Sequence, residues 1–353
     1  MFKQLNQIPF AAGQASGTPL TLDIVEPIIW LFLNLKVKVV TVVGTGTVKS
    51  IQDGVKRLLR LVQLTRGSSP QKSFGQNDPL GSAGVMLEII QRSWLQGIPT
   101  IIDPDGVMAV PGTSIANGTH DVEIRYAIPI SLPANRYHRG WVDRTALRVA
   151  LETWQVQITW GTIDDILALT GNATGVITVP STFAKIAVIA DPSLSPNWPS
   201  KNSSNMIKGG MILKSVASGT VIGTAANGDL SISLPTTGNV LSHAQALYDD
   251  AVLDDSLIKR QTFKVNESVE EYLADWDVSQ GSAEFDGDNP LSSGLPVGFN
   301  MIVFDHFYNL SGRVNTNVAQ SWKDHVDHLA ATGNAKLIQQ IMYLGAYEEG
   351  ARR

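Results

Sequence analysis

The strongest constraint on the fold of this chain is a strict alternation of apolar and polar side chains in several segments. In residues 31–39 every odd position is apolar, and Asn34, Lys36 and Lys38 stand between them. The same period of two runs through residues 122–130 and 154–160. Because successive side chains of a strand point to opposite faces, this pattern predicts strands with one face on a core. Four more segments predict strands in the second half: residues 230–234, 258–265, 299–304 and 337–347.

Helical signals are few. Ser82 precedes a segment, residues 83–94, whose apolar residues recur at helical spacing before a Gly/Pro turn. Ser268 and Glu271 form an S-x-x-E capping box followed by an apolar stripe that ends at Trp276, which predicts a second helix. Many short strands with Gly/Pro-rich turns and occasional helices indicate antiparallel sandwiches or barrels, of which the eight-stranded jelly roll is one form.

The length of 353 residues indicates two domains. Residues 191–204, rich in proline and serine, are expected to form an irregular loop of the second domain. We place the boundary after the strand at 154–160, which gives a first module over residues 23–165 and a second over 166–353. Residues 1–22 are polar and rich in Gly, Ala and Ser, and predict an arm that orders on assembly.

Charge and composition argue against several classes of protein. The net charge is −5 and no lysine- or arginine-rich block occurs, so direct nucleic-acid binding is not expected. The chain has no cysteine, which excludes disulfides, thiolate metal sites and a cysteine nucleophile. The most apolar stretch, residues 27–43, is interrupted by charges and does not predict a membrane span. Residues 1–10 lack the pattern of a secretory signal, so we expect the chain to stay in the cytoplasm where it is made.

Residues 41–50 resemble a phosphate-binding loop only superficially. Such a loop needs glycine directly before the lysine and again five residues earlier, and Val48 and Val43 occupy those places. The segment therefore predicts a hairpin turn. No serine lies in a G-x-S-x-G elbow either. Neither motif indicates catalysis, and no cofactor is expected.

The candidate ligand-binding residues are weak. Glu284, Asp286 and Asp288 surround a glycine and could turn several oxygens towards a structural calcium ion, although a solvated acidic loop is the favoured interpretation. His325 and His328 would point to opposite faces of a strand and cannot share a metal there, so we interpret that segment as surface.

The tryptophans divide into two groups. Trp154 and Trp160 alternate with polar residues and Trp276 lies on an apolar stripe, so all three are expected to pack in cores. Trp141 and Trp198 stand in polar loops and are candidates for an interface or a glycan contact, two roles that the sequence does not separate.

The order of these features resembles the double jelly-roll major capsid proteins of tailless icosahedral bacterial viruses with an internal membrane, such as tectiviruses and corticoviruses. The resemblance covers nearly the whole chain. The segments that carry it are residues 51–55 leading into 58–65, the helix-like 83–94, 121–132, 145–147, 159–161, the helix-like 268–276, 304–316 and 337–347.

This resemblance implies an all-β protein of two tandem eight-stranded jelly-roll β-sandwiches, with a few short helices in loops and no catalytic residues. It implies a homotrimer forming a pseudo-hexagonal block that contacts other trimers laterally in a virion shell. Penton or vertex proteins and membrane-associated virion proteins would be further partners, and the arm at residues 1–22 could contact the inner membrane. The alternatives are a carbohydrate-binding adhesin or spike with β-sandwich domains and, less favoured, a glycoside hydrolase with two carboxylates in a cleft.

Overall fold

The computed structural model shows an all-β chain with few helices. It describes residues 2–8, 10, 19–22, 28–66, 69–93, 100–108, 110–129, 154–188, 211–224, 228–236, 238–266, 269–277, 280, 295–304, 314–315, 321–331 and 334–346. Within these residues, no helix is long and apolar enough to cross a membrane.

The first half of the chain forms one β-sandwich. Its elements in chain order are β1 (Phe2–Gln7), β2 (Leu20–Thr21), β3 (Ile28–Val42), β4 (Thr47–Ser50), α1 (Gly54–Arg57), β5 (Leu59–Arg66), β6 (Ser69–Gly75), α2 (Ala83–Ser93), β7 (Thr100–Ile102), β8 (Gly118–Pro129), β9 (Trp154–Trp160), a 3₁₀ helix (Ile163–Asp165), β10 (Leu167–Thr170) and β11 (Thr174–Val188). One sheet has the order β1-β11-β3-β8 with β7 on its edge, and the facing sheet has the order β2-β9-β5-β6.

The second half forms another sandwich. Its strands are β12 (Met211–Val221), β13 (Gly228–Ser233), β14 (Asn239–Asp249), β15 (Val252–Leu253), β16 (Ile258–Val265), β17 (Val269–Asp275), β18 (Phe299–Val303), β19 (Val314–Asn315), β20 (Trp322–His328) and β21 (Lys336–Ala346). One sheet has the order β12-β21-β14-β18, with β15 and β19 also paired to β14. The other has the order β13-β20-β16-β17.

Both sandwiches have the same topology. Each sandwich has eight principal strands, which remain when the short strands β4, β7 and β10 are left out of the first half and β15 and β19 out of the second. If these eight are numbered along the chain, one sheet has the order 1-8-3-6 and the other 2-7-4-5 in both halves. This is the strand order of a jelly roll, and it confirms the predicted fold of two tandem eight-stranded sandwiches. The alternation in the sequence matches the burial: along β9, every second residue from Trp154 to Trp160 is buried.

The strand pairing departs from the predicted domain boundaries at two places. β11 pairs along β3, and β10 pairs with β4, so residues 167–188 belong to the first jelly roll and not to a second module starting at 166. Within the predicted arm, β1 pairs with β11 and β2 pairs with β9. We therefore propose that the first module runs through Val188 and that the boundary lies within residues 189–210.

Two local predictions were wrong. The segment predicted as a helix from its capping box is β17, an edge strand paired with β16. A helix of nine residues is marginal by itself, so pairing with a formed sheet edge decides its conformation. After the turn at Gly44, β4 pairs with β10 instead of folding back on β3, so residues 41–50 are not a hairpin.

Candidate functional site: the junction between the two jelly rolls

The two jelly rolls share a sheet. β6 of the first lies parallel to β12 of the second, with Ser215 opposite Lys72, so that sheets of the two sandwiches form one continuous sheet. The Ser215 hydroxyl donates to the Ser73 carbonyl oxygen at 2.7 Å. Backbone pairing and a side-chain bond therefore fix the register of the two modules against each other.

A glutamine of β21 reinforces this contact. The side-chain oxygen of Gln340 accepts a hydrogen bond from the Gly75 amide at 2.9 Å, and its nitrogen donates to the Ser73 carbonyl at 3.0 Å. Gln340 is fully buried. Both polar groups of one amide are thus satisfied by the backbone of the other module, which meets the requirement that buried polar groups be paired.

Helix α2 fills the space between the sandwiches. Its apolar residues from Val85 to Ile90 are all buried, although an ordinary surface helix buries only one stripe. They belong to a core that also includes Tyr248, Phe299 and Met342 of the second module. Each large apolar side chain buried here contributes about 1.5–3 kcal/mol relative to an exposed position. The two modules therefore share a hydrophobic core.

A buried ionic cluster lies beside α2. Lys56 donates to Asp53 at 2.7 Å and also contacts the carboxylate of Glu88, which accepts a second bond from Arg92 at 2.8 Å. Burial acts to lower the pKa of Lys56, but the charges of Asp53 and Glu88 outweigh it and hold that pKa above its usual value. The lysine is therefore charged in the folded protein.

The same cluster reaches the second jelly roll. The Tyr248 hydroxyl donates to Asp53 at 3.3 Å, and burial raises the pKa of that hydroxyl well above its usual value. Lys56 lies 5.9 Å from the centre of the Phe299 ring, and Arg57 lies over Tyr248 at 5.7 Å while donating to the Ala251 carbonyl at 3.2 Å. Such cation–π contacts strengthen when they are desolvated. Charges of the first module thus hold aromatic side chains of the second.

Because α1 and α2 pack closely, replacing a glycine of α2 by alanine should destabilise the protein instead of stabilising it. Replacing a helical glycine by alanine usually stabilises a protein by up to about 1 kcal/mol. At Gly84, however, the new Cβ would overlap the Lys56 carbonyl oxygen and lie 2.6 Å from the Tyr126 hydroxyl. We expect Gly84→Ala to destabilise by about 1–3 kcal/mol in urea denaturation.

Gly223 is the control for this substitution, because no atom of the described residues lies within 4 Å of the position that a Cβ would take. Gly223→Ala should change stability by less than about 0.5 kcal/mol. If Gly84→Ala were as stable as the parent, the two helices would not be packed as closely as described.

The structure does not describe the ligand-binding and interface candidates named from the sequence. Trp141, Trp198, Glu284, Asp286 and Asp288 fall outside the described residues, so their roles stay predictions. In the part of the chain that the structure describes, no group of three or more His, Asp or Glu side chains could hold a metal ion.

The tryptophans that the sequence predicts to pack in cores are buried, namely Trp154, Trp160 and Trp276. His325 and His328 do alternate across β20, but His328 and Asp324 are buried, so the segment is not simply surface.

Sequence reasoning did not find the junction. Its contacts join residues far apart in the chain, for example Asp53 and Tyr248, which are 195 positions apart. The available signal was a set of polar residues at inward positions of apolar strands, such as Gln340 in β21.

The comparisons with known proteins agree with this architecture. No protein-family model matches the chain, and no curated protein matches its sequence. Solved structures do match over nearly the whole length. The major capsid protein of Sulfolobus turreted icosahedral virus is 13% identical, with a TM-score of 0.68 over 98% of this chain and 96% of that one.

Two further capsid proteins show the same relation. That of bacteriophage PM2 is 11% identical, with a TM-score of 0.55 over 99% of this chain and 98% of that one. That of Faustovirus is 10% identical, with a TM-score of 0.59 over 98% and 89%. The strand order of this chain and its match over nearly the whole of each structure show that it has the double jelly-roll fold of viral major capsid proteins.

Proposed function

We propose that this chain is a major capsid protein, which assembles as homotrimers that tile the shell of an icosahedral virion. The observation that carries the proposal is the match of both jelly rolls, over almost the full length of each chain, to capsid proteins. The protein would act by packing against copies of itself, and it would not be an enzyme.

The junction suits such a role. A shell subunit must resist bending between its modules, because neighbours contact both of them at once. A continuous sheet, the shared core around α2 and the buried Lys56 cluster all oppose relative motion of the two sandwiches. Three such subunits closed by cyclic symmetry would present six jelly rolls in a pseudo-hexagonal block.

The remaining partners follow from this role. Lateral contacts between trimers, penton or vertex proteins and membrane-associated virion proteins would complete the shell, and the protein would be made in the host cytoplasm. We do not expect it to bind the genome directly, since the net charge is −5. Inner-membrane contact would involve the N-terminal region outside β1 and β2.

The oligomeric state of the purified chain tests the proposal. Sedimentation equilibrium should give a mass three times that of the 38.1 kDa subunit, independent of concentration over the micromolar range. A stable monomer that binds glycans on an array would instead support the adhesin alternative and would overturn the capsid assignment.

A further inference from the structure

The interior of the second jelly roll contains polar side chains where a sandwich core is ordinarily apolar. All of them are fully buried between the two sheets. The set, which we call the polar core, comprises His243, Gln245, Gln261, Asn300, Asp324 and Gln339.

Asp324 lies at the centre of the polar core and connects the two sheets. One of its carboxylate oxygens accepts a bond from Gln339 on β21 at 2.6 Å and another from Gln261 on β16 at 3.2 Å. β21 and β16 belong to opposite sheets. Among the described residues, the second carboxylate oxygen and both glutamine side-chain oxygens have no hydrogen-bond partner. Both hydrogen bonds go to the same oxygen, so this arrangement gives little stabilisation to a negative charge on the carboxylate.

The surroundings of Asp324 do little to stabilise its charged form. Among the described residues, no lysine or arginine forms an ion pair with it, and an unpaired buried carboxylate is costly. Burial raises its pKa to about 7, against the opposing effect of the bonds from Gln339 and Gln261. Asp324 therefore changes charge near neutral pH.

His243, on β14, is the other titratable member of the polar core. Neither of its ring nitrogens has a hydrogen-bond partner in the part of the chain that the structure describes. Its ring packs edge-on against Phe263 at 5.2 Å, and burial lowers its pKa to about 3. Phe263 lies on β16, directly opposite Asp324 on the neighbouring strand β20. On β20 itself, Lys323, His325 and Asp327 occupy the outward alternate positions, while the buried His328 bonds to the Leu329 carbonyl at 2.7 Å.

The polar core is joined to the junction through one strand. Gln339 and Gln340 are neighbours on β21 and face opposite sides of the shared sheet. Gln339 binds Asp324 inside the second jelly roll, and Gln340 binds the backbone at Ser73 and Gly75 in the first. A shift of β21 relative to β20 would therefore act on both contacts.

We propose that the protonation state of Asp324 sets how firmly the two sheets of the second jelly roll are held together and, through β21, how firmly this sandwich is fixed to the first. The protonated form holds the sheets, and the ionised form loosens them. This device does not depend on the capsid role.

The expected direction follows from the two pKa values. The pKa of Asp324 is raised in the folded state, from 3.8 to about 7, so its stabilisation is greatest at low pH and is lost as pH rises through that window. The pKa of His243 is lowered, from 6.5 to about 3, so its stabilisation is present above 6.5 and is lost as pH falls. The two effects oppose each other, so the stability of the parent protein should depend only weakly on pH between pH 5 and pH 8.

Single substitutions separate the two effects. Urea denaturation gives the folding equilibrium constant of each protein. The ratio of the parent's constant to that of Asp324→Asn should fall about 100-fold from pH 5 to pH 8. The ratio of the parent's constant to that of His243→Phe should fall about 30-fold from pH 8 to pH 5. A parent-to-Asp324→Asn ratio that stays constant with pH would overturn the proposal.

Hydrogen exchange tests the link to the junction. The Gly75 amide is bonded to Gln340, so its protection factor reports the contact between the modules. In His243→Phe, where Asp324 alone titrates, this protection, corrected for intrinsic exchange, should fall between pH 5 and pH 8. In the double variant His243→Phe with Asp324→Asn it should stay constant over the same range. Equal pH dependence in both proteins would show that β21 does not transmit the change.

Discussion

Replacing Lys56 by methionine should destabilise the protein by about 3–5 kcal/mol, as is typical when one partner of a buried ion pair is removed. Methionine keeps much of the apolar stem but leaves Asp53 without its closest cation, and Glu88 with Arg92 alone. It also removes the charge near the Phe299 ring. The free energy of unfolding from urea denaturation measures the effect.

Lys36→Met is the matched control. Lys36 also pairs with a glutamate, Glu123, but at 3.8 Å and with half of its side chain exposed, so its loss should cost less than about 1 kcal/mol. Adding Asp53→Asn to Lys56→Met should recover part of the loss, because it removes an uncompensated charge. Asparagine also tolerates the left-handed backbone of Asp53, at φ 55°. Equal effects of the two lysine substitutions would contradict the buried cluster.

Replacing Trp160 by alanine should destabilise the first jelly roll by about 3–5 kcal/mol. Trp160 is fully buried at the end of β9, and its ring lies 5.3 Å from that of Phe10. Its removal leaves a large cavity and takes away one of the contacts that hold the N-terminal segment, residues 2–22, beside the pairing of β1 and β2. We therefore expect lower stability in urea and faster proteolysis before residue 22.

Trp160→Phe and Phe10→Ala separate the two effects. The first keeps a ring in the cavity and should lose less stability than the alanine variant. The second should expose the N-terminal segment to protease while the rest of the first jelly roll stays folded. If the N-terminal segment of Phe10→Ala were cleaved no faster than that of the parent, residues 2–22 would not depend on this packing.

The sequence predicted those features that depend on local pattern. Each of β3, β8 and β9 places one face on a core, so its apolar residues alternate and its existence is visible without a structure. Helix α2 was predicted for a similar reason, since its apolar residues recur at helical spacing. Both kinds of element carry their own periodicity.

Features that depend on distant contacts were missed. β11 was assigned to the second module because nothing in its residues shows that β3, more than a hundred positions earlier, is its partner. The polar core was overlooked because Asp324 stands next to histidines in a segment that reads as surface. Only the fold shows that alternate residues of β20 point into the sandwich.

We propose that each subunit is a rigid pair of jelly rolls that packs against copies of itself. Single-particle cryo-electron microscopy of the purified protein tests it most directly. We expect three copies around a threefold axis, with six jelly rolls in a pseudo-hexagonal outline and one fixed angle between the two sandwiches of every copy. Isolated subunits, or subunits in which that angle varies from particle to particle, would contradict the account.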